Sequence, residues 1–165
     1  MNSNFNPIGF IGTGLMGVCF IKRLSEVNYL INAYDKRQEK LELLKGENKV
    51  SLSINPAQVS KNCDIIFICV DKTENVKDVV FGDNGIIQNA SENTIIVDLS
   101  TTLANETINF SKKIKLEKGS SWVDAPISGG PEKALDGSLA IMVGGEQKDV
   151  DIISPILKDI SSNFT

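Results

Sequence analysis

Ile8-Gly9-Phe10-Ile11-Gly12-Thr13-Gly14-Leu15-Met16-Gly17 joins a short apolar run to a glycine-spaced turn. Ile8, Phe10 and Ile11 suit a buried strand, whereas Leu15, Val18, Cys19 and Leu24 recur at helical spacing from the last glycines onward. The stretch therefore predicts a strand that turns into a helix across Gly12-x-Gly14-x-x-Gly17. The first glycine permits a tight bend, the second lets a pyrophosphate approach the backbone, and the third lets helix pack on strand. Bare N–H groups and the positive end of the helix dipole then face the phosphates of a dinucleotide. On its own, such spacing also occurs in turns that bind nothing.

The next run, Ile31-Asn32-Ala33-Tyr34, ends in Asp35, about 20 residues beyond the glycines, where an acid can accept hydrogen bonds from an adenosine ribose. Strand, glycines, helix and acid together point to nucleotide binding. An acid there favours NAD over NADP, although Lys36 and Arg37 follow and either can turn toward a 2′-phosphate.

The remaining chain continues the alternation. Lys36 to Lys45 reads as a charged helix with Leu41 and Leu44 inward and Gly46 at its end, followed by a short strand around Val50 to Leu52. Asn55-Pro56 is a cap and first-turn proline opening a brief helix through Val59. Ile65 to Val70 is continuously apolar, as strands buried on both faces are. Thr73 to Phe81 and Asn105 to Lys115 read as helices, and Ile95-Ile96-Val97, Trp122-Val123-Asp124 and Ile141-Met142-Val143 as strands. Val150 to Ile160 reads as a terminal helix interrupted by Pro155. Residues 1–165 thus form one α/β domain, a doubly wound, mostly parallel sheet with helices on both faces. Ligands of such sheets sit beyond the carboxyl ends of the strands. Gly12 to Gly14, Asp35, Val70-Asp71, Ser100-Thr101 and Ala125 to Gly130 should gather there.

Composition excludes other classes. Apolar residues make up 41% and charged ones 23%, which is globular rather than disordered. A formal charge of −4 argues against nucleic-acid and anionic-membrane partners. The chain has no histidine, so a Ser-His triad is excluded, and no spacing of metal ligands is found. Cys19, Cys63 and Cys69 are odd in number and read as free thiols, which points to the cytoplasm. Met1 to Pro7 lacks the pattern of a signal peptide, and no later run reaches the ~18 apolar residues of a membrane span.

A second informative stretch is Asp124-Ala125-Pro126-Ile127-Ser128-Gly129-Gly130-Pro131, where a hydroxyl stands beside two N–H groups that no side chain shields. Such a turn matches a carboxylate. A plain proline-bracketed surface loop accounts for the same residues.

Three stretches taken together, Gly9 to Gly17, Asp98-Leu99-Ser100-Thr101, and Asp124 to Gly130 continuing through Gly137 to Gly145, resemble the β-hydroxyacid dehydrogenases, the 3-hydroxyisobutyrate dehydrogenase family, in order and spacing. The resemblance covers the chain from Ile8 onward. It implies a Rossmann-type lobe of an NAD(P)-dependent oxidoreductase that exchanges a hydride with a 3-hydroxy acid or its semialdehyde, completed by a second, all-helical lobe and a homo-oligomer. By that resemblance Gly12, Thr13, Gly14, Leu15, Met16 and Gly17 hold the pyrophosphate and Asp35 the ribose. Val70, Asp71 and Thr101 lie near the nicotinamide half, while Ser128, Gly129 and Gly130 hold the substrate carboxylate.

The chain departs from the family at Ala104, where proline is usual, and at Lys133, where glycine is frequent. The family's general acid/base is a lysine in Gly-x-x-x-Lys-x-x-x-Asn on a following helix. Gly144-x-x-x-Lys148 copies the spacing, but Ile152 stands in the asparagine place, so Lys148 reads as a solvated helix residue. No catalytic residue is assigned, and the chain by itself is expected to be inactive. A self-standing, non-catalytic dinucleotide-binding module is the alternative. A 6-phosphogluconate dehydrogenase relative is the third reading, disfavoured by Gly137-Ser138-Leu139 and Met142-Val143-Gly144-Gly145.

Overall fold

The structure is a computed structural model and describes residues 6–165. The expectation about a signal peptide falls mostly on residues 1–5, outside the described residues. Six strands form one sheet: β1 (Ile8–Ile11), β2 (Ile31–Tyr34), β3 (Val50–Leu52), β4 (Ile65–Ile68), β5 (Ile95–Asp98) and β6 (Ser121–Asp124). Every pairing in it is parallel, in the order β3-β2-β1-β4-β5-β6. This is the doubly wound topology whose direction of winding reverses between β1 and β4, the place where a ligand crevice opens.

Buried residues on the two faces of the sheet explain the layers. Ile8 and Phe10 point to the side closed by α1 (Leu15–Glu26) and α7 (Gln147–Ile160), where Phe10 stacks on Phe67 and meets Phe20. Ile11, Ile66 and Ile68 point to the other side, closed by α3 (Pro56–Asn62), α4 (Thr73–Phe81) and α5 (Ala104–Lys118). The predicted charged helix is shorter than expected: α2 spans Gln38–Leu41 and tightens into a 3₁₀ turn over Glu42–Leu44, with Leu41 and Leu44 buried as the pattern required. Asn55 caps α3, its Oδ1 accepting the Gln58 N–H at 2.8 Å.

Two sequence expectations are corrected. The strand expected at Ile141-Met142-Val143 is only β8 (Ala140–Ile141), and it stays out of the main sheet. It lies between β7 (Ile127–Ser128) and β9 (Asn163–Phe164) in a separate three-stranded sheet, antiparallel to the first and parallel to the second. Pro155 does not interrupt the terminal helix, which runs unbroken from Gln147 to Ile160. Pro155 is exposed, so the carbonyl it leaves unpaired four residues earlier turns to water, while buried Ile153, Ile156, Leu157 and Ile160 hold both halves of α7 to the core.

Candidate functional site

The glycine turn is built as its spacing demands. Gly12 has φ +100°, and a β-carbon there would lie 2.1 Å from the Cys69 carbonyl oxygen at the end of β4. A β-carbon on Gly17 would lie 1.9 Å from the Gly12 carbonyl oxygen, so α1 approaches β1 this closely only through a glycine. At Gly14, by contrast, a β-carbon would meet nothing within 4 Å. Packing does not require a glycine at that position. The space beside it is open to a ligand, and no side chain caps the first turn of α1. The unpaired N–H groups of that turn can therefore receive an anion.

Asp35 is nearly buried, at 7% exposure, and its carboxylate organises the turn from below. Oδ2 accepts the Thr13 main-chain N–H at 2.7 Å and the Thr13 hydroxyl at 3.2 Å, while Oδ1 accepts the Arg37 N–H at 2.9 Å. Each carboxylate oxygen has two acceptor positions, so Oδ1 keeps one beyond the Arg37 N–H, with the Arg37 Nε 3.9 Å away. Thr13 is fully buried with both donors committed to Asp35, so it shapes the glycine loop from within.

A cleft of about 890 Å³ opens over this turn. Its lining brings together Gly12, Gly14, Leu15, Met16, Gly17, Asp35, Val70 and Asp71. Thr101 and the turn Ser128-Gly129-Gly130 are outside its lining. Sequence reasoning overlooked the cleft's outer end, where Ile54, Asn55 and Pro56 follow β3 and Asn75, Asp78 and Val79 share one face of α4. The signal was available in both, because β3 ends on the same rim and the α4 residues follow the i, i+3, i+4 rule. The lining carries both charges: Lys36 and Arg37 follow β2, and Asp71, Asp78 and Asp83 follow β4. The Asp71 carboxyl is held below its ordinary value, first by the Asn75 amide, which donates to it at 2.6 Å, and with help from the charges of Lys72 and Arg37.

Beside the cleft, the loops after β4 and β5 are tied together. The Val70 N–H donates to the Ser100 hydroxyl at 3.0 Å, the Ser100 N–H to Asp98 Oδ1 at 3.0 Å, and the Thr102 hydroxyl to Asp98 Oδ2 at 2.8 Å. Asp98 is fully buried and its carboxyl is pushed up by that burial, which the Thr102 and Ser100 hydrogen bonds oppose. Asp124, its register partner on β6, is also raised by burial. Cys69 lines the cleft, and burial together with the nearby Asp98 charge lifts its thiol to about 12.

At the second predicted stretch, Gly129 sits at φ +138° and Gly130 begins α6 (Pro131–Asp136). Ser128, Gly129 and Gly130 are all exposed. Lys148 lies in the first turn of α7, largely exposed, 3.1 Å from Glu146 and away from the cleft lining. Among the described residues no group of acids and cysteines is arranged to hold a metal ion, and no helix is long and apolar enough to cross a membrane. All three cysteines are free.

The sheet order, the glycine turn and the crevice at the winding reversal define a dinucleotide-binding domain of the Rossmann type. The family described as the NAD binding domain of 6-phosphogluconate dehydrogenase matches residues 7–165, and the chain belongs to it. Escherichia coli (strain K12) 2-hydroxy-3-oxopropionate reductase is 34% identical over 159 residues, covering 96% of this chain and 53% of the reductase. The cytokine-like nuclear factor N-PAC of Pongo abelii is 33% identical over 151 residues, covering 89% of this chain and 27% of that protein. Among solved structures, Psf3 in complex with NADP+ and 2-OPP superposes with a TM-score of 0.90 at 25% identity, over 96% of this chain and 55% of that one. Mycobacterium tuberculosis 3-hydroxyisobutyrate dehydrogenase shares the fold, with a TM-score of 0.89 at 20% identity over 98% and 54%. The chain spans about half the length of the reductase and about a quarter of the nuclear factor. The chain is thus an NAD(P)-binding domain related to hydroxyacid dehydrogenases, and it covers their N-terminal part.

Proposed function

We propose that this chain is the cofactor lobe of a cytoplasmic oxidoreductase that interconverts a 3-hydroxy acid and its semialdehyde. The observation that carries the reading is the single cleft that joins Gly12 to Gly17, Asp35 and Val70-Asp71 at the winding reversal. Its shape fits a dinucleotide: open space at Gly14 for the pyrophosphate and a free Oδ1 acceptor on Asp35 for the ribose. NAD is the preferred cofactor, because the Asp35 carboxylate repels a 2′-phosphate more closely than exposed Lys36 and Arg37 attract it. Bound there, the nicotinamide ring exchanges a hydride with the substrate carbon.

The chain's own residues bind and orient. Ser128, Gly129 and Gly130 hold the substrate carboxylate, and Thr101 and Val70 flank the ring. Proton transfer at the substrate oxygen needs a positioned acid/base, worth typically 10²–10⁴-fold, and we assign none among the described residues. A lysine from a second, helical lobe fills that role in this reading, and that lobe also makes the homo-oligomer. The substrate is a small hydroxy acid, with no nucleic-acid or membrane partner.

Isothermal titration of the folded chain with NAD and NADP tests the cofactor site, with NAD expected to bind more tightly. A folded chain that binds neither at millimolar concentration overturns the assignment. Assay of residues 1–165 with NAD and 3-hydroxyisobutyrate or glycerate is expected to give no NADH. Steady turnover abolished by Lys148→Ala would make Lys148 the missing acid/base.

A further inference from the structure

We propose that Lys133 is a specificity-determining cation that makes the Ser128-Gly129-Gly130 turn select ionised carboxylic acids over neutral ligands of the same shape. The proposal rests on the reading of that turn as the substrate site. A β-carbon placed on Gly129 would come within 3.1 Å of Leu139 Cδ1 and 3.2 Å of Lys133 Cδ. Buried Leu139 and the methylene stem of Lys133 therefore pack together against the face of Gly129 where a side chain would stand. Helical side chains lean toward the helix N-terminus, which carries Lys133 from α6 back over the turn that precedes it.

The ammonium is not spent elsewhere. Lys133 is exposed, and none of the ion pairs among the described residues includes it. The acids on its own element are Glu132 and Asp136. Asp136 already accepts the Ser138 N–H at 2.8 Å, and the Lys133 and Arg23 charges add to that hydrogen bond in holding its carboxyl below the ordinary value. The Ser128 hydroxyl and the N–H groups of Gly129 and Gly130 are neutral donors, which hold a carboxylate more strongly than an amide or alcohol oxygen but still admit the neutral group. A full positive charge beside the turn widens that margin, because it acts on the ionised ligand alone.

The test is a ¹H–¹⁵N NMR titration of the 165-residue chain with saturating NAD, using glycerate and its neutral isostere glyceramide. Glycerate should shift the Gly129 and Gly130 amides and bind more tightly than glyceramide, Lys133 contributing roughly twofold to fivefold of the preference, an exposed charge pair being worth this much. Lys133→Gln should narrow the difference and Lys133→Arg should keep it; position 133 is exposed, so neither change threatens the fold. If Lys133→Gln leaves the preference intact while both amides still respond, the role of Lys133 is overturned and the turn remains a substrate site. If NAD shifts the Gly12 to Gly17 amides but neither ligand moves Gly129 or Gly130, the substrate-site reading falls and the proposal with it.

Discussion

The Asp35 carboxylate accepts the main-chain N–H of Thr13 at 2.7 Å across 22 positions of sequence, so the acid at the end of β2 fixes the loop at the end of β1. The same side chain that lines the cleft also sets the curvature of the glycine turn. Asp35→Asn keeps an acceptor for Thr13 but removes the charge. Titration calorimetry should show NADP gaining on NAD, with urea denaturation reporting a loss of about 1–2 kcal/mol from the weakened hydrogen bonds. An unchanged cofactor ratio would remove Asp35 from the basis of selection.

The three glycines separate folding from binding. Gly17→Ala forces a β-carbon into the Gly12 carbonyl and should cost about 2–4 kcal/mol of stability, as overpacking at close backbone contacts does. Gly14→Ala meets open space and should leave the melting temperature within a few degrees while weakening NAD binding at least tenfold. Thermal melts and titrations of both variants check the contrast. A Gly14→Ala variant that binds normally would mean that the pyrophosphate lies elsewhere.

Cys69 lines the cleft but is a poor nucleophile. With its thiol near 12 rather than 9.0, about one molecule in 10⁴ carries the thiolate at pH 8, so alkylation should run roughly a thousandfold slower than for an ordinary cysteine. Mass spectrometry after iodoacetamide treatment, with and without urea, measures this. Rapid labelling of the folded chain at Cys69 would contradict so raised a thiol.

Asp98 and Asp124 give stability a definite pH dependence. Burial raises both carboxyls in the folded chain, so the fold takes up their protons more readily than the unfolded chain does. Their contribution is complete below pH 3.8, the unfolded value, and is lost as pH rises through the raised folded values. Asp98→Asn, which keeps an acceptor for the Ser100 N–H, should therefore gain most in relative stability toward neutral pH. Urea midpoints for both proteins between pH 4 and 8 read the effect directly; parallel curves would count against it.

Much of the architecture was legible because its determinants are local. Continuous apolar runs at Ile65 to Ile68 and Ile95 to Val97 marked central strands, and Asn55-Pro56 marked a helix start that the structure shows capped. The reading failed where tertiary context decides. Nothing in Ile141-Met142-Val143 records that its partners are Ile127-Ser128 and a pair of residues more than 20 positions further on, since strands this short carry no register of their own. Pro155 was misjudged because its cost depends on which face of α7 it occupies. At the site, Asp35 reads from the sequence as the acid that accepts from a ribose and it does line the cleft, whereas its bond to Thr13 arises only when β1 and β2 lie side by side.

The mixed charges of the cleft lining bear on how an anion reaches a chain that is itself negative. Lys36 and Arg37 enter the lining after β2, and Asp71, Asp78 and Asp83 after β4, so cations and acids come from the segments that follow the two strands flanking β1. A dinucleotide that binds as proposed would be guided by the two cations toward the glycine turn. Raising ionic strength shortens the reach of this guidance to a few ångströms, about 3 Å at 1 M. Salt should thus slow capture while leaving release nearly untouched.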